Sequence, residues 1–290
     1  MIPDNWRFTL QKTLSFGCCF NESSNMVVIG VPLDLSATYK PGTKLAPERI
    51  RIAACNLELY STITGKCLEN ICFNDMGDIV IPPGDLFGSL EMIKYVVENV
   101  YREYRGRVVS YIGGEHLITY PIVRALKGEI DTLVVFDAHL DLRNEYLGSK
   151  WNHATVFRRL LEEVDVPIIF IGARAISSDE LSFLKETNSI EVIDLFKALE
   201  NDLELRSLGR TYISIDIDVL DPGYAPGVSN PEPFGLTPIK LLKHVREVVK
   251  YSEKIVGFDI VEVNPLVDVN DTTSLLASKL VFEISSLAVG

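Results

Sequence analysis

The chain has 290 residues, 47 % of them hydrophobic, and a formal net charge of −12. That length suits one large core or two modest ones, and the acidity argues against nucleic acid or an anionic membrane as a partner. The opening MIPDNWRFTL lacks the apolar stretch of a signal peptide, no apolar run is long enough for a transmembrane helix, and the expected location is cytoplasmic. The five cysteines (Cys18, Cys19, Cys55, Cys67, Cys72) are odd in number and form no C-x-x-C pair, so they read as reduced thiols.

In chain order, the strand predictions are MVVIGV (26–31), ICFND (71–75), RVVSYI (107–112), TLVVFD (132–137), PIIFIG (167–172), IEVID (190–194), TYISID (211–216) and KIVGFDIV (254–261). These runs are continuously apolar, as parallel strands covered on both faces must be. Helix patterns fall at 45–60, 87–104, 236–251 and 271–287, the third with Thr237 as its cap and Pro238 at its first position. Alternating strands and helices predict an α/β chain with a parallel sheet between two helical layers. No repeat, low-complexity segment or linker interrupts residues 1–290, which predicts a single domain.

In such sheets, ligands bind beyond the carboxyl ends of the strands. Four of the predicted strands end in chemistry: Gly113-Gly114-Glu115-His116, Asp137-Ala138-His139-Leu140-Asp141, Asp216-Ile217-Asp218 and Glu262. The chain has only four histidines, and two of them lie in these ends, with His153 shortly after. In extended backbone, residues two apart point to one side, so Asp137, His139 and Asp141 can converge, as can Asp216 and Asp218. So many acids repel one another unless cations join them. Carboxylates with a minority of imidazoles, and no thiolate, suit two ions of the Mn²⁺ kind, which would supply hydroxide near neutral pH. A lone acid at a strand end usually caps a helix or holds a turn, but four such ends together do not fit that explanation.

The motifs GGEH (113–116), DAHLD (137–141) and SIDIDVLDPGYAPG (214–227), with YKPGTKLAPERIR (39–51), resemble the ureohydrolase family of arginases and agmatinases, over about residues 26 to 285. The resemblance implies an arginase-like three-layer α/β/α fold with an eight-stranded parallel sheet. It implies two Mn²⁺ ions, one held by His116, Asp137, Asp141 and Asp216, the other by Asp137, His139, Asp216 and Asp218, with Asp137 and Asp216 bridging. It implies hydrolysis of a guanidino group to urea and an amine. Asp141 would pass a proton to the leaving amine, Glu262 would pair with the substrate guanidinium, and His153 would shuttle protons. Family members form trimers or hexamers, so a homo-oligomer is implied. His244, on a lysine-flanked helix, reads as surface or packing and is assigned no role.

Arginases carry an Asn two residues after DAHxD and an acid after the strand-end G-x-R. Here Arg143 and Ala175 stand at those places, and the surrounding sequence is closer to prokaryotic agmatinases. The expected reaction is therefore agmatine to putrescine and urea, in polyamine biosynthesis, with Glu145 or Glu232 near the mouth for the distal ammonium. The family run PGTGTPEPGG reads PGVSNPEPFG here, with Val228, Ser229, Asn230 and Phe234 as departures, and Leu117 replaces a common Ser. Those changes leave aminopropylagmatine, guanidinobutyrate, arginine and formiminoglutamate as alternative substrates. A one-zinc deacetylase of the related fold would leave His116, Asp141 and Asp218 surplus, and a non-catalytic subunit would not need converging ligands at all.

Overall fold

The computed structural model describes residues 5–67, 72–200 and 202–289. Its strands are β1 (Leu10–Gln11), β2 (Met26–Val31), β3 (Asn74–Ile79), β4 (Val108–Gly113), β5 (Thr132–Phe136), β6 (Ile168–Ile171), β7 (Ile190–Ile193), β8 (Gly209–Asp216) and β9 (Ser252–Val261). They form one sheet in the order β1-β3-β2-β4-β9-β8-β5-β6-β7. Eight strands are parallel, and the ninth, β1, pairs antiparallel with β3. The expected count of eight omitted β1, a two-residue edge strand too short to leave a periodic signal.

The helices are α1 (Ala46–Ala54), α2 (Leu86–Glu103), α3 (Thr119–Ala125), α4 (Val156–Leu161), α5 (Ser178–Leu184), α6 (Leu195–Glu200), α7 (Pro238–Tyr251) and α8 (Thr272–Ala288). One core joins α1, α6, α7 and α8 to one face of the sheet, through residues such as Met26 and Val28 of β2. The other joins α2, α3 and α4 to the opposite face, through Val27, Ile29 and Val31. Alternate residues of β2 thus serve two cores, which is why its run is apolar throughout. At the start of α7 the Thr237 side chain accepts the Lys240 N–H at 3.2 Å, with Pro238 at the first position. No helix is long and apolar enough to cross a membrane among the described residues.

Two expected elements differ. The strand expected at 71–75 lies at 74–79 instead, and Ile71 is outside the described residues. Its sequence NDMGDI hides a strand behind two acids, because Asp75 and Asp78 are held by Arg51 of α1. The helix expected over 45–60 ends at Ala54, where Cys55 forms its C-cap.

The same Cys55 overturns the reading of the cysteines. Cys18 is bonded to Cys55 and Cys19 to Cys72, with Cα–Cα separations of 5.1 and 5.2 Å, and Cys67 is the exposed free thiol. Spacing along the chain does not report this proximity, which depends on the 15–19 segment crossing both the end of α1 and the approach to β3. The bridges close loops of sequence separation 37 and 53. Reduction is expected to cost roughly 2–4 kcal/mol per bridge, mainly by freeing the unfolded chain. Denaturant midpoints with and without a thiol reductant check this, and coincident curves would show that the bridges constrain nothing.

Candidate metal centre and substrate cavity

The four strands that carry the expected site residues, β4, β9, β8 and β5, are consecutive neighbours in the middle of the sheet. Their ends place His116 just beyond β4, Glu262 just beyond β9, Asp216 as the last residue of β8 and Asp137 directly after β5. Gly114 lets the β4 end pass close to the end of β2, since a Cβ there would stand 1.9 Å from the Leu33 carbonyl oxygen.

The two Asp motifs converge through turns rather than through extended backbone. β5 stops at Phe136, and the Asp137 carboxylate accepts the His139 N–H at 2.6 Å. β8 stops at Asp216, whose carboxylate accepts the Asp218 N–H at 2.8 Å as a short 3-10 turn begins. In each case an aspartate folds the chain back onto its own side chain two residues on. The Asp218 carboxylate then accepts the Ala138 N–H at 3.2 Å, which ties the two turns together.

Two clusters result. His116, Asp137 and Asp216 form one, and Asp137, His139 and Asp218 the other, so Asp137 is common to both. The His116 Nδ1 lies 3.1 Å from Asp137, 3.2 Å from Asp141 and 3.3 Å from Asp216. The His139 Nδ1 lies 3.0 Å from Asp218 and 3.5 Å from Asp137. Asp141 therefore faces the first cluster, where Asp216, expected to bridge, joins His116 and Asp137. The His116 Nδ1 and an oxygen of Asp137 are buried without hydrogen-bond partners, as atoms suited to ligate a cation would be.

The electrostatics lead the same way. Burial pushes the Asp216 carboxyl well up, and the charges of Asp218 and Asp137 push it further. Burial pushes Asp141 up to about 7, with Asp137 adding to the effect. Burial pulls the His116 and His139 imidazoles down, but the surrounding carboxylates outweigh it and hold both well above their usual range. Asp137 alone goes down, because those two imidazoles overcome its burial. A pocket in which acids and imidazoles must share protons to coexist is one that divalent cations would relieve. The residues present fit a binuclear metal centre.

The orientation of His116 is fixed from behind. Its Nε2 lies 3.0 Å from Ser214 Oγ, which donates to Asp259 at 2.6 Å. Thr119 and Tyr212 donate to the other oxygen of Asp259 at 2.9 and 3.0 Å. With Nε2–H spent on Ser214, Nδ1 is the ring nitrogen that faces the cluster. The sequence reading did not single out Ser214 or Asp259. The available signal was a charged residue inside a fully buried strand, which requires a dedicated set of partners.

A cavity of about 440 Å³ opens over the clusters, lined by His139, Asp141, Asp216, Asp218, His153 and Glu262 among others. Asp141 and Glu262 both hold left-handed backbone, at φ 50° and 63°, a conformation uncommon for residues other than glycine. Glu262 accepts the His116 backbone N–H at 2.7 Å, and burial pushes its carboxyl up to about 8. His153 is held by the loop after β2: its backbone N–H donates to Ser36 Oγ at 3.2 Å, its Nδ1 meets the Ser36 carbonyl at 3.2 Å, and its Nε2 meets Thr38 Oγ1 at 3.3 Å. Burial pushes its pKa down to about 4, so the ring is neutral at pH 7. His244 is buried in packing, with Nε2 2.7 Å from the Ala198 carbonyl.

Arg143, Ala175 and Glu232 line the cavity, whereas Glu145 is exposed and does not. Of the four departures at 228–234, Asn230 alone lines the cavity. Val228 and Ser229 are buried in the core, and Phe234 is 79 % exposed. Phe234 sits at φ 64°, a position where glycine is unstrained. Leu117 is buried and does not line the cavity.

The family model described as the arginase family matches residues 24–286. The chain is 38 % identical to an uncharacterised 32.2 kDa protein of Methanothermus fervidus, over 88 % of this chain and 89 % of that one. It is 33 % identical to an agmatinase of Bacillus subtilis (strain 168), over 91 % of each. Among solved structures it resembles an agmatine ureohydrolase of Thermoplasma volcanium, with a TM-score of 0.81, 36 % identity and 95 % of each chain covered. With the sheet order, the shared-aspartate clusters and these likenesses in agreement, the chain belongs to the arginase family and is a hydrolase of the arginase–agmatinase type.

Proposed function

We propose that the protein hydrolyses agmatine to putrescine and urea, using two Mn²⁺ ions per chain. The observation that carries this reading is the pair of clusters sharing Asp137, set beneath a cavity that also presents Asp141, His153 and Glu262. His116, Asp137, Asp141 and Asp216 would hold one ion, and Asp137, His139, Asp216 and Asp218 the other. When bound, the ions would neutralise the carboxylates and lower the pKa of a shared water.

The chain's own groups do the rest. Glu262 orients the flat guanidinium by a charge-assisted pair, and the approach of that cation ionises a carboxyl that burial otherwise keeps near neutral. Asp141, which lines the cavity beside the first cluster, would carry a proton to the leaving amine. His153, neutral and held at both ring nitrogens, exchanges protons between the cavity and solvent. Similarity to agmatinases supports agmatine over arginine, as does Ala175 where arginases carry an acid. A cytoplasmic homo-oligomer serving polyamine synthesis completes the reading.

The test is urea release from agmatine, aminopropylagmatine, arginine and guanidinobutyrate, and formamide release from formiminoglutamate, with Mn²⁺-loaded and metal-stripped protein. Metal-dependent turnover of agmatine in preference to arginine supports the proposal. Turnover of another compound alone would reassign the substrate, and two bound ions with no turnover would defeat the reading. Glu262→Gln is expected to keep both ions and lose about 10- to 100-fold in kcat/KM, the worth of one charged hydrogen-bonded contact. Metal content and steady-state kinetics measured on one sample check it, and unchanged kinetics would remove Glu262 from the site.

A further inference from the structure

We propose that Glu232 selects the substrate tail, by pairing with a distal ammonium in the cavity. The inference rests on the guanidine-hydrolase reading above and names the specificity-determining residue of that site.

Two observations and one general argument support this. First, Glu232 lines the same cavity as the metal clusters, half-buried, and among the described residues its carboxylate has no hydrogen-bond or ion-pair partner. Of the other charges on the wall, the carboxylate of Glu180 is already engaged, and the cation of Arg143 rests on an aromatic face. Glu180 accepts the Leu142 N–H at 3.0 Å and the Ser177 N–H and hydroxyl at 2.8 and 2.7 Å. Arg143 lies against the face of Tyr146, 5.0 Å from the ring centroid.

Second, the Glu232 backbone is fixed relative to the metal centre. The Arg174 Nη2 donates to the Asp218 carbonyl and to the Glu232 carbonyl, both at 2.7 Å. Its Nε donates to the Pro233 carbonyl at 3.0 Å and its Nη1 to the Val219 carbonyl at 3.1 Å. One guanidinium thus clamps the loop that carries a candidate metal ligand to the loop that carries Glu232. Arg174 spends these hydrogen bonds on backbone carbonyls and, although its charge also acts on Glu232, leaves the hydrogen-bonding oxygens of that carboxylate for a ligand. A rigid planar fork of this kind suits a fixed spacing better than a flexible amine would.

Third, chemistry at a fixed spacing is selective. A guanidinium held at Glu262 and an ammonium held at Glu232 together define a tail length, because a carboxylate left without its cation in a partly dry wall forfeits a charge-assisted contact.

The experiment compares agmatine, its homologues one methylene shorter and longer, n-butylguanidine with a neutral tail, and 4-guanidinobutyrate with an anionic one. The wild-type protein and the Glu232→Gln and Glu232→Asp variants are each loaded with Mn²⁺. The wild type is expected to favour agmatine over n-butylguanidine by about tenfold or more in kcat/KM. Glu232→Gln should collapse that ratio through KM, and Glu232→Asp, with its carboxylate drawn back, should shift the preference toward the longer homologue. Equal losses on agmatine and n-butylguanidine in Glu232→Gln would overturn the proposal. So would a wild-type preference for the anionic tail, which would give the wall to Arg143. Turnover of n-butylguanidine in either case shows that the guanidine chemistry stands while the tail assignment falls. No turnover of any guanidine defeats both.

Discussion

Asp137→Asn should leave the protein unable to hold either metal ion firmly and should lower kcat by about a thousandfold, on the order of 4 kcal/mol of transition-state stabilisation. Asp137 is the residue common to both clusters, and its carboxylate oxygens face His116 at 3.1 Å and His139 at 3.5 Å. Asparagine keeps the shape and can still accept the His139 N–H that closes the turn. It loses the negative charge and one of two ligating oxygens, so the effect is on ligation and not on the fold. His139→Ala makes the informative contrast: it removes a ligand from the second cluster only, so one ion should remain and nearly all activity should still be lost. Elemental analysis of metal per chain, with a thermal melt to confirm folding, separates these cases. Two ions and full activity in Asp137→Asn would remove it from the centre.

The largest stability effect is expected at Arg51→Leu, about 3–5 kcal/mol. Arg51 is completely buried in α1. It pairs with Asp75 through two contacts of 2.8 and 2.9 Å, with Asp78 at 2.5 Å, and donates to the Gly77 carbonyl at 3.1 Å. Leucine would fill much of the space but leave two acids on β3 without their cation. The loss should depend on pH in a definite direction. Burial already pushes the Asp78 carboxyl above its usual value, and Arg51 is what restrains it. Without Arg51 the folded-state pKa climbs further above the unfolded one. Such a group disfavours folding above its unfolded pKa and ceases to do so once pH falls low enough to protonate both states. The deficit should therefore be largest near neutral pH and shrink in acid. Denaturant titrations at neutral and mildly acidic pH test this, and an equal loss at both would show that packing, not charge, accounts for it.

The parts of this architecture that were legible in the sequence were those whose signal is local. MVVIGV has the boundaries of β2, and the Thr237-Pro238 start of α7 is a cap and a first-turn proline as read. The chemistry at four strand ends was legible for the same reason, since each motif is a short run placed directly after an apolar one. What was not legible depends on partners far along the chain. The strand predicted at ICFND stops at Asp75, because MGDI offers no apolar run until Arg51 supplies a cation for Asp75 and Asp78. Cys18 and Cys19 read as thiols until the fold brings Cys55 and Cys72 beside them. Asp259 reads as one polar residue in a strand until Ser214, Thr119 and Tyr212 surround it. Arg174 was passed over because all its partners are backbone carbonyls, which carry no sequence signature. The convergence of Asp137 with His139 was anticipated, but through strand alternation, whereas a side-chain-closed turn produces it.

The order of the sheet also bears on how the molecule comes to exist. β9 is the last strand in sequence, yet it lies between β4 and β8. Until it inserts, the strands on one side (β3, β2, β4) share no ladder with those on the other (β8, β5, β6, β7), and His116 belongs to a different half from Asp137, Asp216 and Asp218. Closing contacts across so long a stretch of chain is slow, because the loop entropy is spent before the contacts form. Of the two metal ions, the one that needs His116 therefore cannot template early folding, since its ligands meet only when the final strand has docked, whereas Asp137, His139 and Asp218 all lie on one half. The ion at His116 would act as a latch on the finished sheet, slowing its opening and rewarding completion through mass action.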